Sequence, residues 1–220
     1  MSLILIIGES GTGKSTSIRN LDPNETFLLQ VLNKPLPFKD SKNKYIPVTK
    51  EQEGNTFCSD NWSQILTVIK KINENEKIKT LIIDDFQYVM ANEFIRRVAE
   101  KGYDKFSEIA SHAWQIIDAG VHCRNDLNVF FLAHSQTDEY GKSKCKTIGK
   151  LLDEKICLEG MFTIVLHSKI VDDKYYFQTQ TDHSSTAKSP MEMFEDKYIQ
   201  NDLQFVVDKI EEYYNQDIDM

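Results

Sequence analysis

Five apolar residues, Leu3-Ile4-Leu5-Ile6-Ile7, run directly into Gly8-Glu9-Ser10-Gly11-Thr12-Gly13-Lys14-Ser15. Every fixed position of the phosphate-loop pattern G-x-x-x-x-G-K-[ST] is met. The pattern dictates a buried strand, a tight glycine turn and a helix beginning at Gly13, which Pro23 closes after Ile18 and Leu21. In that geometry the backbone N–H groups of the turn converge on a β-phosphate, and the helix start adds its positive dipole end. Lys14 is expected to reach the β and γ oxygens and the Ser15 hydroxyl to ligate Mg²⁺. Gly8, Glu9, Ser10, Gly11, Thr12, Gly13, Lys14, Ser15 and Thr16 therefore form the expected binding set for a nucleoside triphosphate, taken as ATP.

The rest of the chain bounds that reading. Its 220 residues, 40% hydrophobic and 27% charged, suit a single soluble domain with one substantial core. We expect a core over about residues 1–158, followed by a hairpin and a terminal helix over about 159–220. No run approaches the roughly 20 apolar residues of a membrane span, so a cytoplasmic protein is expected. Cys58, Cys123, Cys145 and Cys157 are scattered and read as reduced thiols. A net charge of −8 argues against coating nucleic acid by bulk positive charge, so any such site must be local.

Strand-like runs at Thr26 to Leu32, Lys79 to Asp85 and Asn128 to Ala133 alternate with helical stripes. The helices are predicted over about Trp62 to Ile72, Phe86 to Glu100 and Lys105 to His122. This alternation implies an α/β fold, a mainly parallel sheet flanked by helices. Gly160 to Ile170 and Lys174 to Thr181 read as an appended hairpin, and Asp202 to Tyr214 as the terminal helix.

Three segments carry further chemistry. Ile82-Ile83-Asp84-Asp85 is an apolar strand ending in two carboxylates. Asp84 is the expected metal-side group, and Asp85 could orient and deprotonate the attacking water. His134-Ser135-Gln136 closes the next buried strand, where His134 or Gln136 could sense a γ-phosphate. Lys142, Lys144, Lys146 and Lys150 make the densest positive segment of an acidic chain, a glycine-flanked loop able to bind a phosphodiester backbone without reading sequence.

Taken together, the P-loop, Leu81 to Asp85, Phe130 to Gln136 and a late hairpin ending near Thr181 resemble the RecA-like P-loop ATPases encoded by phages, most closely the group tied to single-strand annealing and recombination. Asn33-Lys34-Pro35-Leu36-Pro37-Phe38 also resembles a phrase found in phage ATPases of this kind. The resemblance implies a homo-oligomer binding ATP between neighbouring subunits, with single-stranded DNA as partner. It implies that Lys101 to Phe106 and Gly141 to Lys150 face that DNA, with Tyr103 and Phe106 stacking on bases beside Lys101 and Lys105. It also implies a basic residue supplied by the adjacent protomer, for which Lys188 is the first candidate and Lys174 the second. One departure stands out: the family usually carries a catalytic glutamate at the end of the strand after the P-loop helix, where this chain reads Gln30-Val31-Leu32-Asn33. Asp85 could substitute, Glu51 or Glu53 could come in from a loop, or hydrolysis could be slow.

Two other function classes fit a P-loop chain of this length. A nucleotide or small-molecule kinase is one, although Arg19, Arg96, Arg97 and Arg124 are not clustered in a glycine-flanked loop as a kinase lid would have them. An ATP-gated interaction or loader module with little hydrolysis is the other, and the missing glutamate favours it.

Overall fold

Every residue of β1 (Leu3–Gly8) is buried, and its side chains alternate between two cores. Leu3, Leu5 and Ile7 enter one core, which α-helices cover. Ile4 and Ile6 enter the other, closed by the segment after the P-loop and by the last helix. Enclosure on both faces is why such a strand reads as an unbroken apolar run. The computed structural model describes residues 2–149 and 151–215, so Lys150, expected in the DNA-facing loop, lies outside the described residues.

After β1 come a 3-10 segment (Ser15–Asn20), β2 (Thr26–Gln30), α1 (Ser41–Lys44), β3 (Thr56–Cys58) and α2 (Trp62–Glu74). Then follow β4 (Thr80–Asp84), α3 (Gln87–Arg96), α4 (Asp104–Val121), β5 (Asn128–Thr137) and β6 (Ser143–Cys145). The chain finishes with β7 (Ile164–Val171), β8 (Lys174–Gln178), β9 (Tyr198–Gln200) and α5 (Leu203–Asn215). The sheet runs β3-β2-β4-β5-β1-β7-β8-β9, with β6 attached to β5. From β3 through β7 the neighbours are parallel; β7 and β8 form the expected antiparallel hairpin, and β9, which the sequence did not suggest, pairs antiparallel with β8. The α/β, mainly parallel, helix-flanked architecture is the one the alternating pattern implied.

Order and register place the site. β5 lies between β1 and β4, so the P-loop strand and the acidic strand both neighbour the strand that carries His134. Gly8 is level with His134, and Gln30 with Asp84, so the carboxyl ends of four strands open on one crevice. Ligands of parallel α/β sheets bind at that edge.

Several elements depart from the sequence reading. The helix expected from Gly13 is a short 3-10 segment, in which Ser17 N–H donates to both Gly13 O and Lys14 O, and Ser17 Oγ donates to Lys14 O at 2.5 Å. The Ser17 hydroxyl competes for the backbone in this way, which disfavours a regular α-helix. α3 stops at Arg96 rather than Glu100, because Lys105 Nζ takes the carbonyls of Arg97, Val98 and Glu100. The lysine loop is not free: β5 runs on to Thr137 and turns back as β6, with Asp138 Oδ1 accepting from the N–H groups of Tyr140 and Lys142. Among the described residues no helix is long and apolar enough to cross a membrane, and all four cysteines are free thiols.

Candidate nucleotide-binding site

Two glycines set the shape of the loop. A Cβ on Gly8 would stand 2.7 Å from both Ser168 O and Thr12 Oγ1, so only glycine lets the loop close against β7. Gly13 has φ +93°, and its missing side chain leaves room for Tyr175 and Asn201. From below, Ser168 Oγ donates to Thr12 O at 2.5 Å and accepts from Asn201 Nδ2 at 3.2 Å. The middle of β7 and the residue that follows β9 thus hold the loop in its curl.

Inside the curl, Lys14 Nζ donates to Gly8 O at 2.8 Å and to Glu9 O at 2.7 Å. Burial pulls its pKa down to about 8, although the charges of Asp84 and Asp85 oppose the shift. Ser15 Oγ donates to Asp84 Oδ1 at 3.0 Å. Asp84 is fully enclosed and its Oδ2 has no hydrogen-bond partner. Burial and the neighbouring Asp85 charge push it up to about 6 against the Ser15 hydrogen bond.

Asp85 follows with φ 63°, a left-handed conformation that Asp tolerates better than most residues. Phe86 N–H then donates to Leu132 O, fixing the corner between β4 and α3. The corner leaves Asp85 buried in the crevice, paired with Lys34 and with Oδ1 3.9 Å from His134 Nε2. His134 is held below its ordinary pKa by burial and by the nearby Lys14 charge, against the pull of Asp85. Its backbone N–H donates to Gln87 Oε1 at 3.0 Å.

These groups line a cleft of about 370 Å³, bounded by Ser10, Lys14, Ser15, Asp85 and His134 on the sheet side and by Lys34, Pro35 and Pro37 on the other. A second cleft of about 280 Å³ adjoins it across Ser10 and His134 and is lined by Gln87, Tyr88 and Lys146. Gln87 Nε2 is buried there without a partner.

The structure brings Gly8 to Thr16, Asp84, Asp85 and His134 together, and it separates other expected residues. Gln136 lies two residues beyond His134, opposite Lys144 in the β5–β6 ladder, and does not line the cleft. Lys105 is corrected: its ammonium is spent on the carbonyls of Arg97, Val98 and Glu100 in the turn after α3 and sits over the Phe94 and Phe106 rings, so it ties down that turn rather than facing DNA. Phe106 is likewise half-buried, its ring 5.5 Å from that of Phe94. Lys101 and Tyr103 remain exposed, Tyr103 at 86%. Lys142 is exposed at the β5–β6 turn, Lys144 is half-buried on β6, and Lys146 lies exposed just beyond it. Lys188 pairs its backbone with Val165, three residues before the level of Ser168, and Lys174 opens β8 at the hairpin tip. Glu51 and Glu53 are exposed and precede β3, at the end of the strands away from the crevice, so neither supplies the missing glutamate within this chain.

Sequence reasoning missed Lys34 as a site residue. The phrase Asn33 to Phe38 was visible, but nothing in it signalled that a lysine would cross to the acidic strand. Ser168 and Asn201 were equally silent, since each acts only through the register of β7 and the placement of β9.

The residues fit a Mg²⁺-nucleotide. An enclosed carboxylate with one orphaned oxygen, next to a serine hydroxyl, is a hard oxygen donor set facing the phosphate cradle. Lys14 occupies the loop's own carbonyls with an ammonium that a phosphate would satisfy better. No curated protein matches the chain. A family model described as an AAA domain matches residues 2–191, from the start of β1 past the β7–β8 hairpin, and the chain belongs to this AAA domain family of nucleotide-binding P-loop proteins.

Proposed function

We propose that the chain is a Mg²⁺-dependent ATPase that works as a homo-oligomer on single-stranded DNA, in phage-type recombination or replication. The observation that carries the ATPase part is the Ser15–Asp84 hydrogen bond, with the second Asp84 oxygen buried and unpartnered beside Asp85. A site for binding alone has no need of a second carboxylate held in a left-handed corner. Mg²⁺, held through Ser15 Oγ and Asp84, would neutralise charge developing on the phosphates.

In this reading Lys14 leaves the loop carbonyls for the phosphate oxygens. Asp85 orients a water toward the γ-phosphorus and accepts its proton as the water oxygen attacks; the bond from the γ-phosphorus to the bridging oxygen breaks, and ADP and phosphate leave. His134, level with Gly8 on the neighbouring strand, would register whether the γ-phosphate is present.

The DNA part is supported by continuity. β5 carries His134 and runs without a break into the hairpin bearing Lys142, while Lys146 N–H returns to donate to His134 O at 2.8 Å. Backbone contacts made by that hairpin would bear on the sensor strand. Subunit assembly is supported by the family resemblance, with Lys188 or Lys174 offered to a neighbour's site.

Phosphate release from Mg-ATP, with and without single-stranded DNA, tests the proposal on the wild type and Lys14→Ala. Turnover that DNA raises and Lys14→Ala abolishes is expected. Turnover that appears only with a small-molecule acceptor would favour a kinase instead.

A further inference from the structure

The strand after the P-loop lacks the expected glutamate, and what stands in its place is a built turn carrying a cation. Val31 N–H donates to Asp84 O at 3.0 Å and Lys34 N–H to Leu32 O at 2.9 Å. Gln30 Nε2 donates to Lys34 O at 3.0 Å. Gln30 is itself level with Asp84 in the sheet. These bonds tie the Lys34 backbone to the end of the acidic strand, and Pro35 and Pro37 continue the turn along the cleft wall.

From that turn the Lys34 ammonium reaches across the cleft to the buried Asp85 carboxylate. Burial works against its charge, but the hydrogen bond and charge of Asp85 outweigh it and hold the pKa above the ordinary lysine value. The Lys34 side chain is 44% exposed while that of Asp85 is 4% exposed. The lysine is therefore the mobile partner, on a four-carbon stem, and the carboxylate is the fixed one. Lys14 and Ser10 line the same cleft.

We infer that Lys34 is this chain's own γ-phosphate cation, held on Asp85 while the site is empty and transferred to the terminal phosphate of a bound triphosphate. The inference rests on the reading of the cleft as an ATP site and adds a specificity-determining residue to it. A triphosphate brings a terminal dianion to a wall where one ammonium is already tied to a weaker, singly charged partner. A diphosphate ends one phosphate short, and Lys34 stays on Asp85. Transfer has a second consequence: it frees the Asp85 oxygens for the water only when there is a γ-phosphate for that water to attack.

Binding separates this from a simpler role in which Lys34 only neutralises Asp85. Dissociation constants for Mg-bound ADP and for a non-hydrolysable ATP analogue are measured for the wild type, Asp85→Asn, and Asp85→Asn combined with Lys34→Met or Lys34→Arg. In the Asp85→Asn background the lysine has lost the carboxylate it pairs with, and only the more distant charge of Asp84 remains. Adding Lys34→Met should still lower the preference for triphosphate over diphosphate by about tenfold or more, the worth of one hydrogen bond to a charged group. Lys34→Arg should retain most of that preference. An unchanged preference in the Lys34→Met combination would overturn the inference, and would do so even where wild-type ATP turnover is intact. A wild type that binds neither nucleotide would instead overturn the ATP-site reading on which it rests.

Discussion

Ser15 Oγ and Asp84 Oδ1 stand 3.0 Å apart, joining the first residue after the P-loop lysine to the last residue of β4. Ser15 opens the 3-10 segment that follows β1 and Asp84 ends β4, two strands that are not neighbours because β5 lies between them. The hydrogen bond therefore reports the closure of the whole crevice. Replacing Asp84 by Asn should leave the fold intact, since an amide fills the same volume and can still accept from Ser15. It should remove the metal-side charge, so that Mg²⁺ no longer strengthens triphosphate binding by more than about tenfold. Titrations with and without Mg²⁺ check this, and a metal dependence equal to that of the wild type would contradict it.

Nucleotide affinity should pass through a plateau in pH. Asp84, pushed up to about 6, must lose its proton to hold metal, so affinity falls as pH drops below that value. Lys14, pulled down to about 8, must carry its proton to meet phosphate, so affinity also falls as pH rises above that value. Each limb should approach about tenfold per pH unit. Titrating the Mg-bound ATP analogue at pH about 5, 7 and 9 reads both limbs, and Lys14→Ala should lose the alkaline one.

His167 ties stability to pH. It is buried on β7, its Nε2 is 3.3 Å from Ser143 Oγ, and its Nδ1 has no partner. Burial, with the Lys169 charge, lowers its pKa to about 4 from 6.5. Between those values the unfolded chain binds a proton that the folded chain refuses, so stability falls as pH is lowered through the window. The loss approaches on the order of 3 kcal/mol by pH 4. Urea unfolding at a series of pH values should show this acid limb, and His167→Gln should flatten it.

Replacing Lys142 and Lys146 by Ala together should weaken single-stranded DNA binding. Each phosphate contact adds about 0.7 to the salt slope for single strands, so the magnitude of the logarithmic slope should fall by about 1.4. Affinity and slope both unchanged in a salt titration would remove the β5–β6 hairpin from the DNA reading. Tyr103→Ala, at the exposed α3–α4 turn, tests the second expected contact by the same measurement.

The legible parts of this chain were those where one residue pattern decides the outcome. Leu3 to Ile7, Leu81 to Ile83 and Phe130 to Leu132 are enclosed on both faces, and continuous burial writes itself as continuous hydrophobicity. Gly8 to Ser15 was legible because phosphate geometry fixes residue types at fixed spacing. β3, β6 and β9 were not, for each is three residues long and exists because a neighbouring strand offers it hydrogen bonds. Lys105 misled because a lysine that satisfies turn carbonyls has the same local sequence as one that meets solvent. Lys34 was hidden for a related reason: its meaning lies in Asp85, 51 residues away and brought near only by the pairing of β2 with β4.

The most direct test of the hydrolytic site is phosphate release at saturating Mg-ATP by the wild type and by Asp85→Asn, with nucleotide binding measured on the same samples. Loss of a general base should lower turnover by about 10²-fold or more while binding persists. Turnover by Asp85→Asn equal to that of the wild type would contradict the assignment of Asp85 as the group that takes the water's proton.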